Sequence, residues 1–203
     1  MTISTNSALC HLPNVITLAR MAAGMIGAWC LIVSAGQEVE RAALVWGGAS
    51  AVIFVLAALT DWLDGWLARV LDARSALGAL LDPIADKVLV GAYLIAFAAI
   101  SGWMIWLAAP VAVIVGRDVL VTALRFTRPA PATLNVTGEA RTKTALAMIM
   151  TAAPFVLVTL DLATPLRLPV EVWFFYWVGG VWFIAILTAW TALPYVRGAL
   201  GRG

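Results

Sequence analysis

Long stretches without charged residues alternate with short charged connections along this 203-residue chain. The charge-free stretches cover residues 21–37, 43–60, 88–116, 144–160 and 172–196. A helix needs about 20 apolar residues to cross the hydrocarbon core of a bilayer, so most of these stretches have the length of one span. The stretch 88–116 is long enough for parts of two helices, and Ser101-Gly102-Trp103 within it predicts the turn between them.

Extending each stretch over its mildly polar flanks predicts six membrane-spanning helices. They cover residues 15–35, 43–71, 77–100, 103–127, 142–160 and 171–196. We therefore predict an all-α polytopic membrane protein, in which the whole chain 1–203 is a single integral-membrane domain. Of the 13 basic residues, only Arg41 and Arg167 fall in the predicted outer connections. Because basic residues favour the cytoplasmic side of a membrane, both termini are expected to be cytoplasmic.

The composition excludes other classes of protein. Hydrophobic residues make up 63% and charged residues 12% of the chain, whereas soluble domains contain about 45–50% and about 25%. A soluble globule and a disordered chain are both excluded. The net charge of +2 is too small to indicate a nucleic-acid partner. The two cysteines, Cys10 and Cys30, imply no disulfide framework.

Four aspartates lie in the otherwise apolar second and third predicted spans. Asp61 and Asp64 are three residues apart, and Asp82 and Asp86 are four apart, so each pair shares one face of its helix. Carboxylates so close together in a poorly hydrated site would take up protons unless cations neutralise them. An all-oxygen set suits Mg²⁺, Mn²⁺ or Ca²⁺, and four carboxylates favour a site with two metal ions.

The predicted depth of the charges separates two classes of function. Counting about 1.5 Å per residue from the outer ends, Asp61 and Lys143 lie about 27 Å deep, Arg20 about 24 Å, and Asp86 and Arg117 about 21 Å. This level is near the inner boundary of a hydrocarbon core about 30 Å thick. Transporter sites tend to lie at the midplane between duplicated halves, and no repeat is visible here. A divalent-cation transporter is therefore the remote alternative to a site where lipid phosphates meet cytosolic solutes.

The pattern D-x2-D-G-x2-A-R-x8-G-x3-D-x3-D resembles the signature of the CDP-alcohol phosphatidyltransferase family. Its fixed positions are Asp61, Asp64, Gly65, Ala68, Arg69, Gly78, Asp82 and Asp86. Three further segments, 12–20, 116–125 and 138–144, are similar to the branch of the family whose bacterial members make phosphatidylglycerophosphate.

The resemblance implies transfer of a phosphatidyl group from CDP-diacylglycerol to an alcohol, with release of CMP. Asp61, Asp64 and Asp82 are implied as metal ligands, and Asp86 as a further ligand or as the base that takes the proton of the alcohol. Two Mg²⁺ ions are expected, with Mn²⁺ as a possible substitute. The family also implies a homodimer among membrane lipids in the bacterial cytoplasmic membrane, with the active site at the cytoplasmic face.

The resemblance assigns the CDP-lipid and the acceptor to different residues. Contact with the CDP-lipid falls to Gly65, Ala68, Arg69 and Gly78. A second basic group, Arg117, Arg141 and Lys143, is expected to bind a phosphate on the acceptor, because cations near the core need an anionic partner. For Arg117 the alternative is an ion pair with the neighbouring Asp118 or with the acidic cluster, and for the other two it is anchoring on the inner side.

The expected acceptor is glycerol 3-phosphate, which carries such a phosphate, whereas serine and choline carry none. Sister transferases stay open as alternatives. One is a cardiolipin synthase, whose acceptor phosphatidylglycerol also carries a phosphate, and another is a phosphatidylinositol phosphate synthase.

Overall fold

The fold is given by a computed structural model of the chain. It describes the backbone of residues 5–70, 76–127, 138–163 and 169–191, and the side chains of residues 15–60, 84–123, 144–163 and 169–191. Within these ranges the chain forms helices and turns and no strand. The helices are α1 (Thr5–Ala35), α2 (Glu40–Val70), α3 (Ala76–Ile100), α4 (Ile105–Thr127), α5 (Gly138–Ala163) and α6 (Val170–Trp190).

Counting only the residues that the structure describes, five of these helices contain a segment that is long and apolar enough to cross a membrane. The segments are Val15–Ala35, Glu40–Thr60, Ile105–Ala123, Thr144–Ala163 and Val170–Trp190. Large apolar side chains point outward from them, and Phe175 on α6 is 74% exposed. Such surface is unfavourable in water and is well solvated by lipid. The all-helical class is confirmed, while a sixth span in α3 and the cytoplasmic termini stay predictions.

The helix bounds follow the predicted spans closely at most ends. The exceptions are the end of α6, which lies at Trp190 where the prediction gave residue 196, and the start of α1. Helix α1 begins at Thr5, whereas the apolar pattern predicts a start at residue 15. The reason is that hydropathy marks only the part of a helix that lies in apolar surroundings. A helix can continue beyond that part wherever its backbone bonds are satisfied.

The turn predicted at residues 101–103 joins α3 to α4. Gly102 and Trp103 have positive φ angles of 69° and 57°. The Gly102 N–H donates to the Ala99 carbonyl at 3.0 Å, and the Trp103 N–H donates to the Ala98 carbonyl at 2.9 Å. These two bonds define a Schellman motif, which ends a helix with a residue in the left-handed conformation. Glycine suits that position because it has no Cβ.

The chain divides into two compact units, Met1–Phe97 and Ala98–Gly203. In the first unit α1 packs along α2, and in the second unit α4 and α5 each pack against α6. Indole groups of α6 make hydrogen bonds to the neighbouring helices of the second unit. The Trp177 N–H donates to the Met150 carbonyl on α5 at 2.7 Å. The Trp182 N–H likewise donates to the Trp106 carbonyl at 2.8 Å. A single domain over residues 1–203 stays a prediction.

Candidate functional site

A buried series of hydrogen bonds joins the three helices of the first unit. The Ser50 hydroxyl on α2 donates to the Gly27 carbonyl on α1 at 2.8 Å. The Tyr93 hydroxyl on α3 donates to the Ser50 carbonyl at 2.7 Å. The Phe54 ring packs edge-on against the Tyr93 ring, with centroids 4.9 Å apart. Because buried hydroxyl groups need partners, these bonds set the register of the three helices.

Two glycines of α1 allow α3 to approach closely. A Cβ at Gly24 would lie 3.0 Å from the Leu89 Cα, which is backbone and cannot rotate away. A Cβ at Gly27 would overlap the Tyr93 hydroxyl. Small residues at a helix interface permit this kind of approach inside a membrane. Helices α1 and α3 are therefore in close contact just after Arg20 on α1 and Asp86 on α3.

An ion pair joins Arg20 on α1 to Asp86 on α3. The Arg20 Nη1 lies 3.3 Å from the Asp86 Oδ1. The side chain of Arg20 is 1% exposed and that of Asp86 is 20% exposed. A buried charge in an apolar helix is costly unless an opposite charge accompanies it. Sequence reasoning did not identify this pair, although it predicted similar depths for the two residues.

The other predicted metal ligands lie on α2 and α3, and their side chains are outside the described residues. These are Asp61, Asp64 and Asp82, and the same holds for the CDP-lipid residues Gly65, Ala68, Arg69 and Gly78. Helix α2 is continuous through position 64, and α3 through positions 82 and 86, so the helical spacing behind the prediction is confirmed.

A carboxylate donor set fits Mg²⁺ or Mn²⁺, which prefer oxygen ligands. Asp86, the one member of the set with a described side chain, is partly exposed and could contribute an oxygen. Among the residues with described side chains, no group of three or more His, Cys, Asp or Glu could hold a metal ion. The complete cluster of four therefore stays a prediction.

The structure places Arg117 of α4 beside an acidic neighbour. Its Nη1 lies 2.8 Å from the Asp118 Oδ1, so the ion pair considered as an alternative is present. Its Nη2 lies 3.5 Å from the Thr191 hydroxyl, a contact that nothing in the sequence indicates. The Nε atom is buried and makes no hydrogen bond within the described part of the chain.

The other two predicted phosphate ligands, Arg141 and Lys143, lie in the first turns of α5. Their side chains are outside the described residues. Binding of an acceptor phosphate by this basic group therefore stays a prediction.

Comparison with known proteins identifies the family. Residues 10–192 match the sequence profile of the CDP-alcohol phosphatidyltransferase family. Several curated relatives carry the name CDP-diacylglycerol–glycerol-3-phosphate 3-phosphatidyltransferase. The one from Pseudomonas fluorescens is 39% identical over 155 residues, which cover 74% of this chain and 74% of the relative.

Two more relatives with that name match this chain over a comparable length or at a comparable identity. The protein from Salmonella typhimurium is 33% identical over 159 residues, which cover 75% of this chain and 79% of the relative. The protein from Cereibacter sphaeroides is 43% identical over 104 residues, which cover 51% of this chain and 47% of the relative. The profile match extends over most of the chain and includes all eight positions of the aspartate signature. The chain therefore belongs to the CDP-alcohol phosphatidyltransferase family.

Proposed function

We propose that this protein transfers the phosphatidyl group of CDP-diacylglycerol to glycerol 3-phosphate, giving phosphatidylglycerophosphate and CMP. The observation that carries the proposal is membership of the family together with its complete signature. The relatives named for this reaction, which match about three quarters of the chain, support glycerol 3-phosphate as the acceptor.

In this reaction a hydroxyl oxygen of glycerol 3-phosphate forms a bond to the lipid-side phosphorus of CDP-diacylglycerol. The bond between that phosphorus and the bridging oxygen breaks, and CMP leaves with the oxygen. The hydroxyl proton needs an acceptor, and Asp86 is our candidate for the base. Its carboxylate is partly exposed, and the Arg20 guanidinium contacts one of its oxygens. A base must reach the proton it removes, so a carboxylate with some exposure is suited to this role.

Two Mg²⁺ or Mn²⁺ ions are proposed at the acidic cluster. Carboxylate oxygens are the donors that these ions prefer, and the proposed ligands are Asp61, Asp64, Asp82 and Asp86. When bound, the ions supply charge neutralisation at the pyrophosphate. The CDP-lipid is held by Arg69, Gly65, Ala68 and Gly78.

The basic group on α4 and α5 is proposed to bind the acceptor phosphate. Its members are Arg117, Arg141 and Lys143. The Arg117 guanidinium makes the alternative ion pair, 2.8 Å from an Asp118 oxygen, so a bound phosphate would share or displace that carboxylate. A phosphate offers the same oxygen chemistry with more charge, so it can compete with the carboxylate for the guanidinium. A neutral alcohol group has no such advantage.

The membrane, the orientation and the oligomeric state are proposed from the distribution of basic residues and from the family. We propose that the active site faces the cytoplasm at the bacterial cytoplasmic membrane, with both termini on that side and α3 as the sixth span. The excess of basic residues in the predicted inner connections supports this orientation. A homodimer is proposed on family grounds.

The deciding experiment measures CMP release from CDP-diacylglycerol with one acceptor at a time. We expect release with glycerol 3-phosphate and little with phosphatidylglycerol, inositol phosphate, serine or choline. A preference for phosphatidylglycerol would indicate a cardiolipin synthase, and a preference for an unphosphorylated alcohol would refute the acceptor assignment. Transport of a divalent ion into proteoliposomes, lost in Asp64→Asn, would instead support the transporter.

A further inference from the structure

We propose that Arg20 is a positioning residue that fixes the direction of the Asp86 carboxylate. The proposal rests on the proposed function, in which Asp86 is a base or a metal ligand. Arg20 would then contribute to the reaction through Asp86, without touching either substrate.

The first argument is the uneven burial of the ion pair. The Arg20 side chain is 1% exposed, whereas the Asp86 side chain is 20% exposed. A small molecule can therefore reach the Asp86 carboxylate, whereas the Arg20 guanidinium is shielded by the surrounding protein. A group in this place can orient the carboxylate and cannot easily reach a substrate.

The second argument is that the two helices cannot adjust around the pair. Gly24 lies one turn after Arg20, and its position approaches the Leu89 backbone so closely that a Cβ would lie 3.0 Å from the Leu89 Cα. Further along, the Tyr93 hydroxyl holds the Ser50 carbonyl at 2.7 Å. These contacts fix α3 against α1 and α2. The planar guanidinium is itself a rigid donor, so the Asp86 Oδ1 is held in one direction.

The third argument concerns what an arginine provides at this place. Buried ion pairs add little stability, and apolar residues of similar volume often replace them without loss. An apolar residue could therefore fill the space of the Arg20 side chain, but it could not orient a carboxylate. Groups that orient metal ligands typically account for about 10–100-fold in affinity or activity. We expect Arg20 to act in that range.

The test is a double-mutant cycle in the full-length protein, measured as kcat and as KM for both substrates. Arg20→Met should lower kcat about 10–100-fold, with both KM values changed less than about threefold. Arg20→Lys keeps a charge and a donor and should recover part of the loss. In an Asp86→Asn background, Arg20→Met should change kcat by less than about twofold, because the Asp86 carboxylate that Arg20 orients is gone.

The matched control is Arg41→Met, which makes the same replacement at an exposed position of α2. It should leave kcat and both KM values unchanged. An equal kcat loss from Arg20→Met in both backgrounds would overturn the proposal, since Arg20 would then act independently of Asp86. A raised KM with kcat retained would also overturn it, because it would show that Arg20 binds substrate. If Arg20→Met does not fold, the same cycle with Arg20→Lys decides.

A second measurement separates this proposal from the proposed function. Wild-type protein that releases no CMP with any acceptor would refute the proposed reaction but would leave the contact between Arg20 and Asp86 untouched. That contact is tested by thermal unfolding of the metal-free protein. The Tm shifts of Arg20→Met and Asp86→Asn should not add up in the double variant, because each single variant already removes the pair. Additive shifts would overturn the proposal.

Discussion

Replacing Gly27 by alanine tests the close approach of α1 and α3. The new Cβ would overlap the Tyr93 hydroxyl, and it would lie 3.0 Å from the Ile53 Cγ2. Tyr93 would have to move, which breaks its 2.7 Å bond to the Ser50 carbonyl. Overpacking costs about 1–3 kcal/mol, and a buried hydroxyl without a partner costs about 1–3 kcal/mol more. Alanine regains about 1 kcal/mol of helix propensity, so we expect a net loss of about 1–5 kcal/mol.

The assay is thermal unfolding in detergent, where this loss should lower Tm by about 2–20 °C for a chain of this length. Gly48→Ala is the matched control on α2, because no atom from elsewhere in the described part of the chain lies within 4 Å of its Cβ position. It should leave Tm unchanged or raise it. In a Tyr93→Phe background Gly27→Ala should cost less, since the overlapping hydroxyl is gone. Equal Tm values for the two glycine variants would refute the close approach.

Three further predictions concern the chemistry. Asp61→Asn or Asp64→Asn should abolish CMP release and weaken divalent-ion binding, and chelation should do the same until Mg²⁺ or Mn²⁺ is restored; full activity in excess chelator would contradict the metal site. Asp86→Asn should suppress turnover and leave CDP-diacylglycerol binding largely intact if Asp86 is the base, whereas joint loss in a lipid-binding assay would make it chiefly a ligand. Arg117→Ala should raise the KM for glycerol 3-phosphate at least about tenfold, or ~1.4 kcal/mol, with a much smaller change for CDP-diacylglycerol; equal changes would place Arg117 at the pyrophosphate.

The sequence predicts the helices well because a membrane span is specified locally. Each span needs only enough consecutive apolar residues, and the turn after α3 is marked by Gly102, the residue type that adopts positive φ most readily. The prediction misses the start of α1 at Thr5 because it depends on apolar residues alone. Polar residues before position 15 carry no hydropathy signal, yet the helix continues through them.

The contacts between helices are far less predictable from the sequence. The Arg117–Asp118 pair could be considered in advance because the residues are neighbours in the chain. The Arg20–Asp86 pair could not, although both residues were expected at similar depth. Depth leaves open which faces of two helices meet, and that depends on tertiary features such as the close approach at Gly24.

The separation of Arg20 and Asp86 along the chain has a consequence for biosynthesis. Their ion pair spans 66 residues, so the arginine leaves the ribosome well before its partner. A long arginine side chain near the inner boundary of the membrane can extend to the headgroups. We therefore expect the Arg20 guanidinium to be solvated there until the Asp86 carboxylate on α3 has been synthesised. The buried pair is thus a late contact in folding, formed only when both α1 and α3 are present.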